Sequence, residues 1–283
     1  MSLPATSILD FSIPETRQTV AARDAILYAL SVGYGTEPLD PSHLRYLYEA
    51  DLVPAPTLAN VVAHSGPWMK RVGVDWSRVV HAEHRLTVHR PMPLDTPLVS
   101  RSRSLSVVDR GVGKGMFAAF ERVVSVEATG EPVASIVQTN ACRGDGGCGS
   151  AGRPPEPLPP VPNGSPDATL QLVLAEDAAL LYRLNGDLNP LHVDPAAAEK
   201  GGFRRPILHG LCTFGHAGYA ISRMATTSGL AGLGGLAARF SAPAFPGDTL
   251  EVQMWRIGQD IRFRCTAPAR GVTVLDNGVA RLA

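Results

Sequence analysis

The chain has 283 residues, long enough for two domains of ordinary size, each burying its own core. Its 26 Lys and Arg balance 26 Asp and Glu, so no net field draws in nucleic acid or an anionic membrane, and an anionic partner must be met by a local basic cluster. The opening residues lack a basic stretch followed by an apolar one, no apolar run reaches spanning length, and Cys142, Cys148, Cys212 and Cys265 lack zinc-site spacing. A cytoplasmic protein with reduced thiols, no bound metal and no membrane contact is expected.

In chain order, Pro38-Leu39-Asp40-Pro41 leads into a helical stretch, and Val53-Pro54-Ala55-Pro56-Thr57-Leu58 opens a second. Residues 93–98 then precede alternating, strand-like positions. Residues 144–166 concentrate Gly and Pro, which suits an extended connection and excludes a helix or a central strand. They separate a first half, 1–143, from a second, 167–283.

The second half repeats the order of signals. Pro190-Leu191-His192-Val193-Asp194-Pro195 leads into a short helix, with Asp194 as N-cap and Gly201-Gly202 as its end. Arg205-Pro206-Ile207-Leu208-His209-Gly210 opens a longer one running to about Met224, apolar on most faces and therefore buried. Period-two alternation at Leu250, Val252 and Met254, at Ile261, Phe263 and Cys265, and at Val272 and Val274 predicts a sheet after it. The repeated order points to an internal duplication, each half a sheet wrapped round a buried helix.

The chemistry concentrates between Tyr182 and His192. Asp187 and His192 lie five residues apart, with Gly186 and Pro190 shaping the turn between them, so a carboxylate and an imidazole can face one small volume and polarise a single water. Gly210 begins the long helix, where its N–H has no intrahelical partner and the helix dipole favours negative charge, as an oxyanion donor requires. Each piece alone is weak, since Asp-x-Asn-Pro is a common turn and a lone histidine is more often structural.

The segment Tyr182 to Ala198, with its Gly-Asp-x-Asn-Pro-x-His, resembles the hydratase 2 (MaoC-like, R-specific enoyl-CoA hydratase) family. So do Arg205 to Gly215, Ala238-Arg239-Phe240, Pro246-Gly247, and in the first half Ile26 to Gly33 and His81-Ala82-Glu83, so the resemblance covers nearly the whole chain. Asn185 departs from it, standing where the family usually has Ser or Thr.

The resemblance implies an α+β double hotdog, each half an antiparallel sheet wrapped around a long central helix, and a homodimer that hydrates trans-2-enoyl-CoA reversibly to (3R)-3-hydroxyacyl-CoA. No separate cofactor is implied, CoA being part of the substrate. Asp187, Asn189, His192 and Gly210 match the family's catalytic positions. Leu188, Pro190 and Leu191, on the same loop, are expected to contact substrate; His81 and Ala82 lie beside the CoA or acyl chain, Arg110 near the CoA phosphates, and Phe240 against the nucleotide arm. For Arg110 the residues add their own reason: the turn from Asp109 to Gly115 is basic and Gly-rich, with backbone N–H groups suited to phosphate, although a solvated hairpin tip reads the same way.

The first half has no counterpart of Asp187 and His192, so one site per chain is expected. There Leu52, Val53, Leu58, Val61, Val62 and Trp68 either line space for a long acyl chain or pack as core. A hotdog acyl-CoA thioesterase and a non-catalytic acyl-CoA-binding module are the competing readings. Arg281-Leu282-Ala283 is not a peroxisomal address.

Overall fold

A computed structural model describes residues 3–283. In the first half, strands β1 (Thr16–Thr19), β2 (Val79–Val88), β3 (Pro97–Asp109), β4 (Met116–Val126) and β5 (Pro132–Cys142) pair antiparallel in the order β1-β3-β4-β5-β2. A two-residue strand, β6 (Ala151–Gly152), lies against β3. In the second half, β7 (Ala168–Val173), β8 (Leu233–Phe240), β9 (Thr249–Ile257), β10 (Asp260–Ala267) and β11 (Val272–Leu282) pair in the order β7-β9-β10-β11-β8. Matched in sequence, the two orders are the same, which is the duplication that the repeated proline and helix signals point to. β2 pairs antiparallel with β8, Glu83 opposite Arg239 and Leu86 opposite Leu236, so the halves join edge to edge in one eleven-stranded sheet.

The period-two pattern places the core. Ile261, Phe263, Cys265 and Ala267 of β10 are all buried while the residues between them are half-buried. The helices are α1 (Ala5–Leu9), α2 (Ala22–Ser31), α3 (Pro41–Leu44), α4 (Ala178–Tyr182), α5 (Pro195–Lys200) and α6 (Gly210–Met224). Asp40 and Asp194 cap α3 and α5, accepting the N–H of Ser42 at 2.8 Å and of Ala196 at 2.9 Å, each ahead of a proline at the first helical position. α6 is buried continuously from Cys212 to Ser222. A Cβ on its Gly218 would lie 3.2 Å from Leu236 on β8 and from Thr57, so glycine sets how closely sheet and helix approach. Burying Phe214 and Ile221, worth about 1.5–3 kcal/mol each, outweighs the helix-propensity cost of glycine at 215 and 218, about 1 kcal/mol each.

The first half corrects one expectation. Among the described residues no long helix crosses its sheet; where α6 begins in the second half, the first has a five-residue 3-10 turn, Pro56–Asn60. The reason lies in its carbonyls. The buried Arg122 guanidinium, on β4, donates to the carbonyls of Ala59, Asn60 (2.8 Å) and Val62, so these never receive helical N–H groups. Ala63 then turns to φ +47°, its N–H on the Gln18 side chain and its carbonyl on Ser100. The residues expected to line an acyl channel divide accordingly. Leu58 and Val62 are main core, Trp68 stacks on Phe11 in a separate cluster, and only Leu52, Val53 and Val61 remain partly exposed.

Candidate active site

The loop after α4 is built from two 3-10 turns, Arg183–Asn185 and Pro190–His192. Gly186 joins them at φ +108°, a conformation that a side chain would strain. Asn189 caps the second turn, its Oδ1 accepting the N–H of Leu191 at 3.1 Å, while Asp187 Oδ1 accepts the N–H of Asn189 at 3.2 Å. Asn185, the departure from the family pattern, donates to the Tyr182 carbonyl at 2.9 Å and to the Ser31 hydroxyl on α2 at 3.0 Å. The loop is thereby tied to the first half of the chain.

His192 is buried and its Nδ1 lies 2.9 Å from the Ile207 carbonyl. A carbonyl can only accept, so Nδ1 carries the ring proton and Nε2 is left as a bare acceptor. Burial pushes its pKa down, opposed by the Ile207 carbonyl and by Asp187. Asp187 itself stands exposed at the lip. A third group joins them: His209 Nε2 donates to the Asp187 carbonyl at 3.2 Å, and its ring stacks on His192 with centroids 3.8 Å apart. Ligand-type atoms of Asp187, His192 and His209 lie within 4.8 Å of one another, a spacing that suits one shared water.

Gly210 is the first residue of α6, and the nearby N–H groups of Cys212 and Thr213 already reach the His209 carbonyl. The space a side chain would need at Gly210 is filled by Phe240, 3.1 Å from where a Cβ would stand, so glycine here admits an aromatic ring. Phe240 also packs against His81, with ring centroids 4.6 Å apart, so it joins the start of α6 to the first half.

His81 and Ala82 are brought to the same place from the first half. β2 pairs His81 with Asn140 and then Glu83 with Thr139, so Ala82 is the extra residue of a bulge, a device that re-aims its neighbours. His81 Nε2 meets His84 Nδ1 at 3.2 Å, and His84 Nε2 meets Asn60 Oδ1 at 2.9 Å. Burial pushes both imidazoles below their ordinary value. Of the remaining loop residues, Leu188 is exposed, Pro190 starts the second turn, and Leu191 packs toward Gly201.

The Arg110 turn is the β3–β4 hairpin tip, closed by the Arg110 N–H on the Gly115 carbonyl and the Lys114 N–H on the Gly111 carbonyl. Asp109 takes the N–H of Gly111, Gly147 and Gly149, each at 2.9 Å, which holds its carboxyl below the usual range. What remains cationic is side chains: Arg110, Lys114 and Arg143 border a hollow of about 240 Å³ with Met116, Phe117, Ala141 and Cys142. Ala141 of the hollow follows Asn140, which pairs with His81, so the hollow begins one strand from His81, roughly 5 Å at sheet spacing.

His209, His84 and Asn60 were not singled out as site residues from sequence. His209 had a signal in its place before Gly210; Asn60 and His84 had none, being 24 residues apart.

Residues 158–277 match the model of the MaoC-like domain, and residues 19–144 match that of the MFE-2 hydratase 2 N-terminal domain. An enoyl-CoA hydratase of Mycobacterium tuberculosis is 34% identical over 282 residues, covering 96% of each chain. The full-length peroxisomal multifunctional enzyme type 2 of Drosophila melanogaster superposes with a TM-score of 0.79 at 30% identity, over 95% of this chain and 48% of that one. A further Mycobacterium tuberculosis protein described as a double hotdog superposes at 0.57 and 17% identity, over 96% and 94%, and shows the fold alone. With both family models matched in the order of the two halves, the chain belongs to the MaoC-like hydratase 2 family and has its double hotdog fold.

Proposed function

We propose that the protein adds water reversibly to a trans-2-enoyl-CoA, giving the (3R)-3-hydroxyacyl-CoA, with Asp187 and His192 acting on one water. The observation that carries this reading is that His192 offers only an acceptor, Nε2, next to the Asp187 carboxylate and the start of α6. A water between them donates to both. As its oxygen bonds to the β-carbon, the π electrons of the double bond shift toward the thioester, whose oxygen gains negative charge against the Gly210 N–H. The proton lost by the water to this pair is the one the α-carbon takes up, so a C–O and a C–H bond form while an O–H and the π bond break. Since Nε2 starts without a proton, the pair returns the water's own proton, and hydroxyl and hydrogen arrive on one face.

The CoA phosphates would meet Arg110, Lys114 and Arg143, and the thioester Gly210, so the substrate would span both halves. His81, Ala82 and Phe240 would flank the thioester, and Asn189, Leu188, Pro190 and Leu191 would form the wall from the second half. Among the described residues no helix is long and apolar enough to cross a membrane. The homodimer is part of the same proposal, as is the cytoplasmic setting; light scattering reads the first. The decisive test is the loss of enoyl absorbance across a panel of enoyl-CoA lengths, with chiral analysis of the product. Release of free CoA thiol without hydration would mark a thioesterase, and binding without either would mark a carrier module.

A further inference from the structure

The chemistry above uses Asp187, His192 and Gly210 and leaves the ring that touches all three segments without a task. His209 is 1% exposed and connects stretches of chain 22 residues apart: its Nε2 reaches the Asp187 carbonyl, its face covers His192 at 29° between planes, and its own backbone precedes Gly210. The other nitrogen, Nδ1, is buried with no hydrogen-bond partner. Since the Asp187 carbonyl only accepts, Nε2 holds the ring proton and Nδ1 is a bare acceptor. An unpaired buried nitrogen is destabilising, which a purely structural residue at this position would avoid.

The surroundings keep the ring in that state. Tyr182 of α4 also packs on it, ring centroids 5.0 Å from His209, with its hydroxyl also buried and unpaired. Beyond it Tyr28 of α2 faces Tyr182, Thr57 and Asn60, and none of these is a carboxylate that would draw a second proton onto His209. The charged or titratable groups that do face the ring are Asp187 from the loop, His192 from the second 3-10 turn and Arg183 from the first. Burial, reinforced by His192, pushes the His209 pKa down to about 4.

We propose that His209 is a positioning residue for the hydration: it ties the Asp187 backbone to the start of α6 and lies uncharged against His192, so that the water-activating pair and the Gly210 N–H form one frame. This rests on the hydratase reading above. The hydrogen bond sets how far Asp187 stands from the oxyanion donor. The stack prevents His192 from turning about its ring torsion, which the single bond to Ile207 does not do alone. A charge on His209 would lie 3.8 Å from the imidazole that must accept a proton from water, and would oppose that step.

The experiment compares wild type, His209→Phe and His209→Gln in the enoyl-CoA assay, with circular dichroism and thermal melts to establish folding. Phenylalanine keeps an aromatic face and loses the donor; glutamine places an amide N–H where Nε2 was. His209→Phe should lower kcat by about 10- to 100-fold with KM nearly unchanged, as loss of alignment does. His209→Gln should recover most of kcat while its acid limb shifts relative to wild type. A folded His209→Phe with native kcat, or a His209→Gln as slow as His209→Phe, overturns the inference. Nitrogen-15 NMR of the imidazoles in wild type supplies an arm independent of both variants and of turnover. It should show the Nε2–H tautomer at His209 with no protonation down to pH 5, and an Nδ1–H tautomer or a charged ring near pH 6 overturns the inference. Wild type that hydrates no enoyl-CoA sinks the functional reading instead, while the NMR arm still reports on His209.

Discussion

The two halves share a strand order and differ in what crosses the sheet. In the second half, α6 runs for 15 residues and satisfies its own backbone; in the first, five residues of 3-10 turn suffice, because Arg122 supplies three hydrogen bonds to carbonyls left over. The half that kept its helix also kept a helix start, and with it Gly210, His209 and the dipole that favours negative charge. The other half gave up these and contributes His81, the Ala82 bulge and the Arg110 hollow. On the proposed function, the duplicated fold divides chemistry and recognition between its copies without changing the strand order.

The sharpest break of that division is at the second half's loop. Asp187→Asn and His192→Gln should each lower kcat by about 10² to 10⁴, the range for acid-base groups, with little change in KM. Steady-state rates of the two folded variants check this, and near-native turnover in either would remove that residue from the mechanism.

Arg122 tests the first half's substitute for a helix. Its pKa is pushed down to about 10 by burial, yet it keeps its charge, with carbonyl dipoles as its partners. Arg122→Met leaves those carbonyls buried and unpaired and should cost about 3 kcal/mol or more. Urea denaturation should show the lower midpoint, and Arg122→Lys should not restore it, since one ammonium cannot fork across three carbonyls.

A pH series sharpens the contrast from the other side. His209 and His216, both on or beside α6, are held near 4 by burial, against an unfolded value of about 6.5. Between those values the unfolded chain binds protons that the folded chain does not, so stability is full above about pH 6.5 and falls as pH drops toward 4. Urea midpoints at pH 7.5, 6 and 5 should decrease in that order. A flat series would mean that these imidazoles are charged in the native protein.

The smallest expected effect belongs to recognition. Arg110→Ala should raise KM for enoyl-CoA about tenfold, one partly exposed charge-assisted contact of roughly 1.4 kcal/mol, and leave kcat nearly unchanged. An enoyl-pantetheine thioester, which lacks the nucleotide, should not tell the variant from wild type. Equal KM values for enoyl-CoA would leave Arg110 as a hairpin residue stacked on Phe117.

Much of this was readable in the residues, and the exceptions have a common cause. Asp194 with Pro195, the small-residue run of α6 and the alternation in β10 depend on neighbours in sequence, and each appears where its local chemistry puts it. The missing helix does not, because the decisive group, Arg122, lies about 60 residues from the carbonyls it takes. The Asp109 carboxylate reads as the start of a basic turn, yet it also accepts the N–H groups of Gly147 and Gly149, nearly 40 residues on. Phe240 was assigned by its neighbours in the motif; its partners, His81 and Gly210, come from two other segments.

The bulge at Ala82 makes the site a matter of parity. Along β2 each step of one residue exchanges the two faces of the sheet, and Ala82 adds one step between His81, paired with Asn140, and Glu83, paired with Thr139. Downstream of it, β2 is in register with β8 through Glu83 and Arg239; upstream, His81 is turned onto Phe240. Residues three apart in a regular strand face opposite sides, yet His81 and His84 meet here, Nε2 to Nδ1 at 3.2 Å, because the bulge lies between them. Pairing the same residues without the bulge would turn His81 to the opposite face, a constraint that residue identities alone do not express.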